Sequence, residues 1–342
     1  MSFSGRAAQI MTKTKNAAKQ MGRHVLSSKF PFGILHANAL RNDPVTILVY
    51  HTLGYDEEDF DAWTVVRIGE FKRQIAFLQR HYDIISLDEA VDGKRSNQGR
   101  PRAVITFDDG ERGLYTHLLP FVNETRIPVT VYVATGQIET GEPFWFDEVM
   151  NAVSIPRPLT IDLRKHGLEA WTIGQEKGPD NWLVISDLLE TLKAVCPEER
   201  AELTRLIIAQ APAPEAHAYS KLAPLSMSQL IELSQCPFIS LQSHTHCHSL
   251  LDQIPLTQAI DSIARSKHLI EKWTRQPVIH FAYPNGNYNR ELENTVQELG
   301  FRSATILGMK LWHETENLFA LPRVAIGRYD DIHRFKLRLL GL

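Results

Sequence analysis

Apolar and polar positions along most of the chain follow two alternating periods. Short apolar runs read as buried strands, and the stretches after them carry apolar residues three and four apart, the spacing of a helix packed on a core. Residues 45–50 form the first such strand, which stops at His51. Helical spacing over residues 70–80 places Phe71, Ile75, Phe77 and Leu78 as the apolar positions. Residues 82–87 read as a second strand followed by a short helix. Residues 102–107 are a third, which stops at Asp108-Asp109-Gly110, and residues 128–134 are a fourth. Later strands are expected over 238–243, 277–282 and 303–307, separated by helices over about 256–274 and 289–299. Such alternation predicts parallel strands joined by helices. Seven or eight units predict an α/β fold, a distorted (β/α) barrel of about seven parallel strands.

The pattern lapses over about 150–224, which reads as a helical insertion within a body spanning 44–342. Residues 186–195 and 197–210 are expected helices there, the second with Pro197 at its first position. Residues 211–218 read as a linker. A helix then starts at Ser226, with Gln229 completing a capping box.

Residues 1–43 stand apart as a basic amphipathic helix and linker. Arg6, Lys13, Lys15, Lys19, Arg23, Lys29 and Arg41 fall within the first 42 residues, which hold no acid. At about 100° per residue, Ala7, Ile10, Met11, Ala18, Met21 and Val25 share one stripe, and Lys13, Lys15, Lys19 and Arg23 fall away from it. Three uses remain open: peripheral contact of residues 1–30 with an anionic membrane, docking on the acidic remainder of the chain, or an organellar transit peptide. No apolar run approaches a membrane span, and no secretory signal core is present. The three cysteines, Cys196, Cys236 and Cys247, are scattered and odd in number, which fits a reducing compartment. A cytoplasmic protein is the expectation, peripheral at the inner membrane face if the first of the three uses holds. The formal charge of −3 argues against nucleic-acid binding.

In parallel sheets, chemistry sits at the carboxyl ends of the strands. Here those ends carry His51, Asp108, Asp109, His244 with its neighbours, and residues 283–286. Adjacent strand residues point to opposite sides, so Asp108 and Asp109 cannot share one job: one could bind a metal while the other accepts a proton, although Asp109-Gly110 alone reads as the start of a turn. His244 and His248, four apart, share a face if the chain turns helically. His246 and His248 pair instead if it is extended. One carboxylate and two imidazoles make the three protein ligands of a catalytic metal site with an open position. Pro284 and Gly286 fix a turn around Asn285, whose backbone N–H suits a developing oxyanion. Arg323 carries the charge to pair with a buried carboxylate, although alone it reads as a surface residue. Trp145 and Asp147 suit a sugar subsite or local packing equally.

Thr106-Phe-Asp-Asp-Gly110, His244-Thr-His-Cys-His248 and Phe281-Ala-Tyr-Pro-Asn-Gly286 together resemble, in order and approximate spacing, the polysaccharide deacetylases of the NodB-homology type, carbohydrate esterase family 4-like. Residues 131–136 and 143–147 are similar to one branch of them. The resemblance spans about 44–331. It implies a distorted barrel hydrolase that removes N-acetyl groups from a sugar in an oligosaccharide, polysaccharide or lipid-linked glycan with the help of a divalent metal. Asp109, His244 and His248 would hold the metal, a set that suits zinc and also admits cobalt, nickel or manganese. Asp108 would be the general base, the Asn285 backbone would meet the oxyanion, and Tyr283, Pro284 and Trp145 would touch substrate.

Two departures matter. Ala282 stands where many members carry an Arg that positions the base, and Arg323 in a Leu-Pro-Arg element is its expected replacement. No Leu-x-His follows residue 300. Leu48-Val-Tyr-His51 ends the first strand as in circularly permuted members, which makes His51 the expected general acid. His246 has no role in the pattern. The same scaffold also suits an O-acetyl esterase or a deformylase, and a catalytically impaired carbohydrate-binding protein is the reading from another class.

Overall fold

The computed structural model describes residues 29–41, 43–57, 62–96, 99–154, 158–174, 178–211, 222–314 and 316–341. Seven of its strands are parallel and close on themselves. They are β1 (Val45–Tyr50), β2 (Arg102–Phe107), β3 (Val129–Val133), β4 (Ile239–Ser243), β5 (His280–Ala282), β6 (Ser303–Gly308) and β7 (Leu321–Ala325). Each pairs with the next along the chain, and β7 pairs back with β1. The β1–β2 register runs from Val45↔Arg102 to Tyr50↔Phe107, and every residue of both strands is buried. Continuous burial is what a parallel sheet needs when side chains fill one face and helices cover the other. The barrel is irregular: β5 has three residues and meets β4 only at Phe281↔Ser243.

Two strand expectations change. The strand expected over 82–87 shrinks to Asp83–Ile84, outside the ring on β2. Ser86 ends it by capping the helix Leu87–Val91, with a reciprocal hydrogen bond from the Ser86 N–H to Glu89. Strand β7, unforeseen, closes the barrel with Pro322 opposite Ile306.

Between β3 and β4 the β/α alternation stops. Helices Trp145–Val153, Pro179–Lys193 and Pro197–Gln210 pack with an antiparallel hairpin of Leu159–Asp162 and Ala170–Ile173. The hairpin was not expected, and the first of the two expected helices begins earlier, at Pro179. Hairpin residues alternate buried and exposed, and their inward side chains join Val149, Leu188 and Ile207 in a second apolar core.

The helix Lys29–Ala39 leans on the barrel through Phe32, which is buried and meets Phe77 edge-on. The basic stripe of Lys13, Lys15, Lys19 and Arg23 lies outside the described residues, as does all but the first residue of the 211–218 linker. Among the described residues, no helix is long and apolar enough to cross a membrane.

Candidate active site

The site is built where β2 ends. The Asp108 N–H still bonds to the Tyr50 carbonyl (2.9 Å), and Gly110 N–H turns back to the Asp108 carbonyl (2.9 Å). Asp109 takes a left-handed backbone, φ 72°, and Gly110 follows at φ 84°. A Cβ on Gly110 would lie 2.9 Å from the Val133 side chain, so glycine is required twice over. Left-handed geometry at a residue with a side chain costs on the order of 1–3 kcal/mol and is typical of functional sites. Thr245 (φ 68°) and His248 (φ 51°) repeat it in the facing loop.

Asp109 Oδ1 lies 3.5 Å from His244 Nε2 and 3.2 Å from His248 Nε2. That oxygen is buried and has no well-aligned hydrogen-bond partner, although both imidazoles point their Nε2 at it. They lie within 4.8 Å of one another, which suits a divalent cation. His244 Nδ1 donates to the Ala282 carbonyl (2.8 Å), which leaves Nε2 free to be a ligand. Burial opposes charge on Asp109, but the two imidazoles more than offset it and hold the carboxyl well below its ordinary range. Burial lowers His248, whereas at His244 the carboxylates of Asp108 and Asp109 outweigh burial and raise it. The pair four apart faces the carboxylate. His246 turns away, with Nδ1 2.9 Å from Thr135 Oγ1.

Asp108 points elsewhere. Both of its oxygens meet the guanidinium of Arg323, Oδ1 to Nη1 and Oδ2 to Nη2, each at 2.6 Å. Nη1 also donates to Thr106 Oγ1 (3.1 Å). The pair is buried, with side-chain exposures of 0% for Arg323 and 4% for Asp108, whose remaining exposure is to the cavity it lines. Burial pushes the Asp108 carboxyl up, and the charges of Arg323, His244 and His51 prevail and bring it below the ordinary value. Arg323, a surface residue on its own pattern, is thus one of the most buried side chains of the molecule.

His51, Trp145 and Asn285 line a cavity of about 350 Å³ with Asp108, Asp109, His244 and His248. His51 Nδ1 is buried without a partner, and its ring meets Trp63 edge-on at 5.9 Å. Asn285 sits at φ 56° in the turn Pro284–Gly286, exposed at the cavity edge. Tyr283 and Pro284 are corrections: both are buried and neither lines the cavity. Tyr283 packs edge-on to Phe281 (5.1 Å), so its ring belongs to the core.

Several further neighbours complete the site. Phe144 and Phe146 stack on each other and press on the His248 ring at 4.9 and 5.4 Å. Trp63 and Trp182 line the cavity. Glu111 and Asp147 are buried acids, raised well above the carboxylate range by burial and by the charge of Asp109, with Asp147 also acting on Glu111. Asp147 is not in the cavity wall, so it does not serve a sugar subsite there.

Comparison with known proteins gives the family and the fold. The family model described as polysaccharide deacetylase matches residues 95–170 and 186–304. Among curated proteins there is no significant sequence match. The fold is similar to that of the Streptococcus pyogenes deacetylase PplD, at TM-score 0.57 and 18% identity, over 86% of this chain and 98% of that one. BC0361, a polysaccharide deacetylase from Bacillus cereus, aligns at TM-score 0.56 and 16% identity, over 86% and 69%. IcaB from Ammonifex degensii aligns at 0.54 and 15%, over 87% and 97%. The family match covers more than half of the chain: it belongs to the polysaccharide deacetylase family and is a hydrolase of the deacetylase class.

Proposed function

We propose that the chain hydrolyses the N-acetyl group of a carbohydrate, with Asp109, His244 and His248 holding a divalent metal, zinc by ligand type. The observation that carries this reading is the buried Asp108–Arg323 pair, with Asp108 in the cavity wall beside three converging ligand atoms. A metal on those ligands supplies Lewis acidity toward water and the acetyl carbonyl. Asp108 accepts the proton of the attacking water. Arg323 fixes both oxygens of Asp108 and keeps the carboxylate ionised, so it is ready to act as a base at neutral pH. The backbone N–H of Asn285 donates to the oxygen of the tetrahedral adduct. His51, facing the same cavity, returns a proton to the amine as the C–N bond breaks. Acetate and a free sugar amine are the products.

The test is acetate release from N-acetylglucosamine oligomers by metal-stripped protein, before and after zinc is added. Acetate that appears only with zinc, and fails to appear in His244→Ala, is the expected result. Release that is indifferent to zinc and to His244 contradicts the reading. A membrane-surface role for residues 1–30 rests on their sequence. It predicts that the full chain co-sediments with anionic vesicles and that a chain lacking residues 1–42 does not.

A further inference from the structure

The cavity has a roof. Trp182, Ser186, Leu189 and Lys193 line it from the helix Pro179–Lys193, at the spacing of one helical face. The adjoining stripe of that helix buries Ile185, Leu188 and Leu192 in the second core, which Leu189 also joins and Trp182 packs against. A helix anchored along that stripe is a fixed wall rather than a loose flap. Its last turn is tied down twice. Arg200 donates to the carbonyls of Leu192 (2.8 Å) and Lys193 (3.1 Å), with its guanidinium over the Trp145 ring. Lys193 Nζ, paired with Glu190 at 2.7 Å, reaches across to Asn285 Oδ1 at 3.1 Å.

That last contact joins the roof to the turn after β5. A glycan lying across the barrel mouth needs both sides of the cleft open, and this side is bridged. The cavity, open at its mouth, has a volume of about 350 Å³, at the low end for ligand pockets, which run from about 300 to 1,000 Å³. Its wall offers Trp63, Trp145 and Trp182, flat apolar surfaces suited to the faces of a sugar ring.

We propose that the helix Pro179–Lys193, bolted to Asn285 through Lys193, makes the protein a chain-end deacetylase. A terminal sugar unit fits beneath the roof, and the interior of a long chain does not. The inference rests on the deacetylase reading above. Lys193 is a specificity-determining residue in it, acting through the roof rather than on the reacting atoms.

The experiment uses the zinc-loaded full chain with N-acetylglucosamine oligomers of two to six units. Product fragmentation by mass spectrometry locates the free amine, and tryptophan fluorescence follows binding. A single free amine at one chain end, whatever the length, is expected. Free amines at interior units overturn the roof and leave the deacetylase reading standing. If no oligomer yields acetate, the deacetylase reading fails and binding alone judges the roof. Affinity that levels off after the shortest oligomers supports it. Affinity that climbs tenfold or more from dimer to hexamer, about 1.4 kcal/mol of added contact, overturns it, as does an absence of binding. In Lys193→Ala the rate on the hexamer relative to the dimer is expected to rise, with amines appearing at interior units. An unchanged ratio and product map overturn the assignment of the bolt to Lys193.

Discussion

Two arginines are completely buried at different levels of the same barrel, and their partners set them apart. Arg102 starts β2, at the end of the barrel away from the cavity. It binds Glu314 (2.5 Å) and Asp43 (3.2 Å), and it donates to the carbonyls of Lys94 and Asp43. Both of its carboxylates reach water, with side-chain exposures of 26% and 46%. Arg323 binds a single carboxylate, in bidentate geometry, and that carboxylate is buried except toward the cavity. The first arrangement staples loops that are already solvated. The second removes an ion pair from water, where the desolvation cost competes with the attraction, so it is a poor way to gain stability. Its value lies in fixing the direction and charge of Asp108. A buried ion pair without a solvated partner therefore marks the working end of this barrel better than the number of ion pairs does.

Removing each cation in turn sharpens the contrast. Arg323→Met leaves Asp108 buried and uncompensated, which is expected to cost about 3–5 kcal/mol of stability, read by denaturant unfolding, together with loss of acetate release. A cost under about 1 kcal/mol, the range of exposed pairs, would mean that Asp108 finds water or another partner. Arg102→Met leaves carboxylates that water can solvate. The expected cost is about 1–3 kcal/mol, from the carbonyls that lose their donor, with acetate release per folded molecule unchanged. Loss of turnover there would break the division between stapling and positioning. Asp43→Asn is the smallest change, about 0.2–1 kcal/mol, as for exposed pairs. Its effect should fade in high salt while that of Arg323→Met persists, because screening acts on exposed charges.

The working end was more legible in the sequence than the elements that hold it. Asp108 and Asp109 directly follow a strong apolar run, and His244 follows the shorter alternating strand Ile239–Ser243, so strand ends bring them to one end of the barrel, with His248 placed by the loop after it. Arg323 was harder to place. Its strand has five residues with Pro322 second, and proline ordinarily argues against an interior strand. The apolar run Val324, Ala325, Ile326 was the available signal. The hairpin Leu159–Asp162 and Ala170–Ile173 was also missed, although its period-two alternation is visible in both strands. Tyr283 was misplaced because a motif gives the neighbourhood of a residue and not the direction of its ring. Glu111 shows the limit: nothing local separates a buried acid from a solvated one, and only its packing near Asp147 and Asp109 reveals it.

The reading turns on Asp108 as the base that Arg323 holds in place. The most direct test is acetate release by zinc-loaded Asp108→Asn beside the unaltered protein, with bound zinc measured in both. Zinc content should be equal, since Asp109, His244 and His248 are intact. Acetate release should fall by about 10²–10⁴-fold, the usual worth of a general base. Release within a few-fold of the unaltered protein, at equal zinc, would contradict the assignment.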